Sequence, residues 1–263
     1  MQTQMLQLEQ QGAVAYLWLN RPELHNAFNA ELIAALHQQL QMLNQRDDIR
    51  VVVLAGRGKS FSAGADLNWM KQAGQAASAE NQADAFKLAE MLATLATLRQ
   101  PTIARVHGAA LGGGLGLAAA CDICVASAAA RFATSEVRLG LAPSTISPYV
   151  IAAIGARQAS RYFLTAERIS AERAYEIGLV HALSDAEHLD QTLQQLIKDL
   201  LLGGPQAQHA SKQLIQQVRQ RDVDRDLLQY TAQHIAALRQ GAEAKDGLQA
   251  FLHKQQPRWV IGE

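Results

Sequence analysis

One carboxylate stands by itself in the middle of this chain. Glu136 is the only acidic residue between Asp122 and Glu167, and it sits in the run Ser135-Glu136-Val137-Arg138-Leu139-Gly140-Leu141. A carboxyl group among apolar neighbours holds its proton to higher pH than usual, which suits proton transfer near neutrality. The competing reading is an ordinary solvated glutamate. Upstream lies His107-Gly108-Ala109-Ala110-Leu111-Gly112-Gly113-Gly114-Leu115-Gly116-Leu117, followed by Ala118 to Asp122. Consecutive glycines at the start of a helix leave backbone N–H groups free at the positive end of the helix dipole, where they can hold negative charge. Gly116 lies inside that helix, where glycine costs about 1 kcal/mol relative to alanine, so space is being kept there. A second junction of small residues, Ser60-Phe61-Ser62-Ala63-Gly64-Ala65-Asp66-Leu67, precedes another helix. Two such junctions in one domain suggest two backbone donors converging on one oxygen, an oxyanion hole for a thioester enolate. Asp66 also reads as the cap of the helix that follows.

The elements that must carry these junctions alternate. Residues 13–20 read as a strand, Asn29 caps a helix over 30–43, and Val51 to Ala55 is a strand buried on both faces. Residues 72–82 are small and polar and read as a mobile loop, with an amphipathic helix from Ala83 to Leu98. Strands are expected at 102–106, 121–126 and 131–134, and helices at 147–153, 156–165, 170–177 and 185–202. After Gly203-Gly204-Pro205 the pattern is almost wholly helical. The expected organisation is an α/β core over 1–200 and a helical region over 201–263.

Several function classes are disfavoured by composition and spacing. Lys plus Arg and Asp plus Glu are balanced at 24 each, unlike a dedicated nucleic-acid binder. No apolar run approaches the roughly 20 residues of a membrane span, and the polar, Gln-rich start has no secretory pattern, so the expected location is cytoplasmic. The glycine run does not fit a dinucleotide fingerprint: counted from Gly112, the third glycine would fall at Leu117, and no acid closes the next strand. No Gly-Lys-Ser/Thr follows the run, and there is no Gly-x-Ser-x-Gly elbow. Cys121 and Cys124 follow a helix rather than precede one and have no second ligand pair. They read as buried structural thiols, and no metal is expected.

Five segments in order, Asn20 to Ala27, Ser60 to Leu67, His107 to Asp122, Ser135 to Leu141 and Phe251 to Trp259, span nearly the whole chain. Through them the chain resembles the crotonase superfamily of enoyl-CoA hydratases and isomerases. That resemblance implies a ββα-spiral core acting on an acyl-CoA, with a C-terminal helical region that builds homotrimers or dimers of trimers. Coenzyme A would be part of the substrate, and no separate cofactor is needed. Carried over by position, Ala63 and Gly113 supply the oxyanion-hole N–H groups, and Glu136 is the catalytic carboxylate. Substrate contacts fall to Leu24, His25, Ala63, Gly64, Ala65, Asp66, Leu67, Gly112 and Gly116. Phe251 and Lys254 would reach a neighbouring subunit's coenzyme A.

The chain departs from the pattern at one place. Hydratases of the family carry two glutamates, and the first would stand where this chain has Gly116. An isomerase needs only one carboxylate, a hydratase needs a substitute for the other, and a non-catalytic member binding RNA or coenzyme A needs neither. The run Pro143-Ser144-Thr145-Ile146-Ser147-Pro148-Tyr149, with Gly114 to Leu117, resembles bacterial hydratases of 3-methylglutaconyl-CoA and isohexenylglutaconyl-CoA. The expectation is therefore a hydratase of leucine or acyclic terpene breakdown. Its substrate's own carboxylate would occupy a hole at Gly116, with Ser144, Thr145, Ser147 and Tyr149 as candidate donors to it.

Overall fold

Strands β1 (Leu6–Gln11), β2 (Val14–Leu19), β3 (Val51–Gly56), β4 (Thr102–Val106), β6 (Ile123–Ser127) and β9 (Ala182–Ser184) form a six-stranded sheet in the order β1-β2-β3-β4-β6-β9. The first pair is antiparallel and all later pairs are parallel. The computed structural model describes residues 4–219 and 221–260. All six residues of β3, Val-Val-Val-Leu-Ala-Gly, are buried. Parallel strands inside a sheet are covered on both faces, which is why this run is continuously apolar. Helix α1 (Ala30–Asn44) is capped by the Asn29 side chain, which accepts from the Leu32 N–H. Its buried face, Leu32, Ile33, Leu36, Leu40 and Leu43, joins Leu17, Leu19 and Leu54 of the strands in the main core. Met91, Leu92 and Leu95 of α3 (Ser78–Ala96) complete that core.

A second, three-stranded sheet carries the chemistry-bearing segments. Strands β5 (Ala109–Leu111), β7 (Arg131–Ala133) and β8 (Ile169–Ser170) lie in that order, β5 parallel to β7 and β7 antiparallel to β8. Beside β5 runs the 61–66 segment. The Ser62 N–H donates to the Ala109 carbonyl at 3.0 Å, and the Leu111 N–H donates to the Ser62 carbonyl at 2.9 Å. On its other side, Phe28 donates to the Gly64 carbonyl and Asp66 to the Phe28 carbonyl, each at 2.7 Å. Helix α4 (Gly113–Ala120) leaves β5 through Gly112, whose φ of 50° and ψ of −120° are open to glycine and costly for other residues.

The α/β architecture and most elements match the expectation, with four differences. Strand β1 is an edge strand whose only apolar residues are Leu6 and Leu8, too few to show alternation. The 72–82 stretch is not a long loop. Helix α2 (Leu67–Ala73) runs into it, α3 begins already at Ser78, and only 74–77 lie between them. Polar residues on an exposed helical turn carry no apolar period, so the sequence could not distinguish turn from loop. The helices expected at 147–153 and 156–165 form one element, α5 (Ser147–Thr165), kinked at Gly155 where φ is 74°. Helix α6 (Ala171–Glu176) follows, and α7 (Leu189–Leu202) starts later than expected because β9 and a turn use residues 182–188.

Residues 1–195 and 196–263 form two compact units, the division falling within α7. The second unit contains α8 (Pro205–Val218), α9 (Arg225–Gln240) and α10 (Ala242–Leu252). The Glu243 carboxylate there accepts from the Gln206 and Ala207 N–H groups, satisfying the open start of α8. Among the described residues no helix is long and apolar enough to cross a membrane.

Gly114 tests the packing of α4. A Cβ there would overlap the Ser62 carbonyl oxygen and lie 2.9 Å from the Ser62 Cβ. That carbonyl is fixed by the Leu111 N–H. Helix propensity alone makes Gly114→Ala stabilising by about 1 kcal/mol, whereas forced overpacking costs about 1–3 kcal/mol. The variant is expected to be less stable than the native protein in urea denaturation; a gain in stability would contradict this packing.

Candidate active site

The four glycines of the α4 junction each face a different segment. A Cβ at Gly112 would lie 3.1 Å from Glu136 Oε1. At Gly113 it would overlap the Phe28 ring, at Gly114 the Ser62 backbone, and at Gly116 the side chain of Ile146. The glycine run is therefore a surface shaped for close approach, and its helical cost is offset by what packs there. Burial of an Ile side chain alone contributes about 1.5–3 kcal/mol.

Around this surface lies a cavity of about 220 Å³. Ala63, Gly64, Ala65 and Leu67 line it from one junction, and Gly112 and Gly113 from the other. Glu136 lines it from a 3₁₀ turn over Glu136–Leu139, together with Ser135, Ser144, Thr145 and Ile146. Burial pushes the Glu136 carboxyl up from its ordinary range, against a smaller opposing pull from its own backbone N–H. Its Oε2 is buried and has no hydrogen-bond partner among the described residues. Among the described residues it is the only titratable side chain lining the cavity.

Two residues lining this space have backbone N–H groups without acceptors, and one of them differs from the sequence expectation. The Ala63 N–H is committed to the His25 carbonyl at 2.9 Å, so it cannot serve as an oxyanion donor. The Ala65 N–H has no acceptor in the described protein, and neither does the Gly113 N–H at the start of α4. In a regular strand, residues 63 and 65 would turn their N–H groups to the same side. Gly64, at φ 90°, breaks that alternation and releases Ala65 from the seam with residues 25–28. The two junctions meet at this glycine: a Cβ on Gly64 would lie 2.8 Å from the Leu111 carbonyl and 3.4 Å from the Gly113 nitrogen.

The Gly116 expectation is also corrected. Gly116 is buried and leaves no hole, because Ile146, only 2% exposed, fills the space in front of it. Of the four proposed carboxylate donors, Ser144 and Thr145 line the cavity and Ser147 and Tyr149 do not. The Ser147 hydroxyl donates to the Ser144 carbonyl at 2.8 Å instead.

The remaining expected site residues separate into supports and surfaces. Asp66 caps α2 through the Asn68 N–H at 2.9 Å and pairs with Arg21 at 3.0 Å. Burial works against its ionisation, but the Asn68 N–H and Arg21 hold its carboxyl below the usual range. His25 has φ 50°, and its Nδ1 lies 3.0 Å from the Ser60 hydroxyl. Leu24 is exposed, and neither it nor His25 lines the cavity. In the C-terminal unit, Phe251 is 81% exposed and Lys254 has φ 54°. Cys121 and Cys124 are buried and form no disulfide among the described residues, and burial pushes the Cys124 thiol up to about 12, which leaves it inert.

Sequence reasoning missed Phe28, Ile146 and above all Asn26. Asn26 is 0% exposed and accepts from the Arg21 N–H. It also donates to the Arg57 and Ser60 carbonyls at 2.9 and 2.8 Å. With Arg21, which donates to the Ala27 carbonyl at 2.6 Å, it ties the 21–28 turn to the 60–66 segment. The signal was present as Asn-Ala after Arg-Pro, but nothing local announces a partner more than 30 residues away.

Two backbone N–H groups without acceptors in the described protein and one desolvated carboxyl thus line one cavity, on an α/β core with its second sheet at the site. A family model described as enoyl-CoA hydratase/isomerase matches residues 9–261, and the chain belongs to that family. The solved structure of an enoyl-CoA hydratase from Shewanella pealeana superposes with a TM-score of 0.95 at 40% identity, covering 98% of this chain and 97% of that one. The 2,3-dehydroadipyl-CoA hydratase of Escherichia coli is 34% identical over 254 residues, 95% of this chain and 96% of that protein. The 1,2-epoxyphenylacetyl-CoA isomerase of the same organism is 33% identical, over 94% and 95%.

Glu136 couples stability to pH. The unfolded chain releases this proton in the ordinary carboxylate range, and the folded chain releases it at higher pH. Its stabilising contribution is thus complete below the unfolded value and is lost as pH rises through the folded one. Glu136→Gln is always neutral. It is expected to equal the native protein in thermal stability near about pH 4 and to exceed it near about pH 8. Identical stability at both would contradict the desolvation of this carboxyl.

Proposed function

We propose that this protein is an enoyl-CoA hydratase, adding water across the 2,3 double bond of an acyl-CoA thioester. The observation that carries this is the cavity itself: two unpartnered N–H groups, of Ala65 and Gly113, together with a buried carboxyl with a bare oxygen. The thioester carbonyl accepts from both N–H groups. Glu136 takes a proton from water as the hydroxyl adds to C3. The electron pair of the double bond moves through C2 onto the carbonyl oxygen, where the two donors hold the enolate. Glu136 then returns its proton to C2 and the carbonyl re-forms. One carboxyl serves as base and then acid, and burial, by raising its pKa, makes the protonated form easier to reach than in an ordinary carboxylate. Leu67, 74% exposed, and Leu139 stand at the cavity as apolar surface for the substrate to cover.

The acyl group we propose is branched and carries its own carboxylate, as in 3-methylglutaconyl-CoA or isohexenylglutaconyl-CoA from leucine or acyclic terpene breakdown. Support comes from the Ser144 to Tyr149 run and from Ser144 and Thr145 in the cavity wall. Among the described residues no Lys, Arg or His lines that wall, so hydroxyl groups would receive the carboxylate, at these residues rather than at Gly116. The same reading takes the chain to be a cytoplasmic homotrimer or pair of trimers, in keeping with exposed Leu248, Phe251 and Leu252 on α10.

A single lining carboxyl also fits an isomerase, which moves one proton between two carbons. Turnover of crotonyl-, glutaconyl- and 3-methylglutaconyl-CoA in heavy-oxygen water separates the two. The expected product is a labelled 3-hydroxyacyl-CoA; a shifted double bond without label would favour the isomerase. Glu136→Gln is expected to lower kcat by about 10²–10⁴-fold while keeping affinity for coenzyme A thioesters. Native kcat below neutrality is expected to fall as Glu136 protonates, above the ordinary carboxylate range. Full turnover by Glu136→Gln would overturn the assignment.

A further inference from the structure

Gly116 and Ile146 are unexplained by the chemistry above. Gly116 lies one helical turn beyond Gly112 on α4, is buried, and does not itself line the cavity. A Cβ there would overlap Ile146 Cγ2 and lie 2.7 Å from Ile146 Cβ. Ile146 does line the cavity, immediately before α5, and is 2% exposed. Its side chain therefore stands between the cavity and the space over Gly116. Glu136 faces Gly112 and Ile146 faces Gly116, so one segment presents a reacting group and a wall to successive turns of one helix.

We infer that Ile146, seated against Gly116, is the floor of the acyl pocket and sets the length of acyl chain this protein accepts. This rests on the reading that the cavity receives the acyl group. The cavity, at about 220 Å³, is small for a ligand site, which agrees with a short chain and, of the two acyl groups proposed above, favours 3-methylglutaconyl over the longer isohexenylglutaconyl. The wall is also hard to move. Ile146 is β-branched, with few side-chain rotamers, and its backbone carbonyl accepts the first hydrogen bonds of α5, from Tyr149 and Val150 at 3.1 Å. An apolar floor selects by size and not by charge, so the discriminating feature is the number of carbons beyond C3.

The test uses saturated thioesters, which bind without reacting. Affinities of butanoyl-, hexanoyl- and octanoyl-CoA are measured by calorimetry for the native protein, Ile146→Ala and Ile146→Val. In the native protein affinity is expected to stop rising, or to fall, beyond hexanoyl-CoA. In Ile146→Ala it is expected to keep rising by about fourfold per newly buried methylene, with affinity for free coenzyme A unchanged. Ile146→Val, which preserves branching and folding, is expected to give an intermediate profile. Gly116→Ala is expected to lower the thermal midpoint of the native chain by more than it lowers that of Ile146→Ala, where the side chain it would overlap is gone. Unchanged length profiles in both Ile146 variants, with native affinity for coenzyme A, would overturn this inference alone. If the native protein bound no acyl-CoA more tightly than coenzyme A, the acyl-site reading would fail and this inference with it.

Discussion

The close approach of four separate segments to one short glycine-rich helix is the constraint on which the rest of the site depends. Glu136, Phe28, the Ser62 backbone and Ile146 each occupy space that a Cβ on Gly112, Gly113, Gly114 or Gly116 would need. Helix stability is sacrificed at the three glycines inside α4, and the return is a cavity whose parts are packed against one another. Protein interiors are packed at crystal-like density, so such contacts transmit position as well as energy. The donor N–H of Gly113, the carboxyl of Glu136 and the wall at Ile146 are thereby held by the same eight-residue element, Gly113–Ala120, and its leading glycine.

The second donor is held differently. The 60–66 segment is stitched to β5 on one side and to residues 25–28 on the other, and Gly64 turns the chain between them. Asn26 and the Arg21–Asp66 pair lock that seam from beneath. Buried ion pairs add little net stability, since desolvation offsets much of the attraction, but they penalise every arrangement that separates them. Here the pair spans 45 residues of sequence and fixes the register of the turn that carries Ala65. Catalysis by a backbone donor requires such positioning, because the donor has no side chain with which to adapt.

Much of this was legible in the sequence. The buried strands β3 and β4, the capped helix α1, the glycine junctions and the isolated Glu136 announce themselves by periodicity, capping chemistry and the rarity of charge. The assignment of Ala63 instead of Ala65 failed because a single positive φ at Gly64 reverses which N–H is free, and strand alternation cannot foresee it. The supposed hole at Gly116 failed for a related reason. A glycine reports that space is needed but not what fills it, and Ile146 comes from 30 residues downstream. Edge strand β1 and the early start of α3 were missed where exposed, polar residues leave no apolar pattern.

The central claim is that the N–H groups of Ala65 and Gly113 polarise a thioester carbonyl beside Glu136. The most direct measurement is the vibrational spectrum of that carbonyl, isolated by carbon-13 labelling, in a bound unsaturated acyl-CoA and in the same compound free in water. Two preorganised donors in a desolvated cavity withdraw electron density from the carbonyl more strongly than water does, so its stretching band moves to lower frequency on binding. The account predicts that downward shift in the native protein, retained in Glu136→Gln, whose donors are intact. A bound carbonyl whose band stays at or above its frequency in water would contradict it.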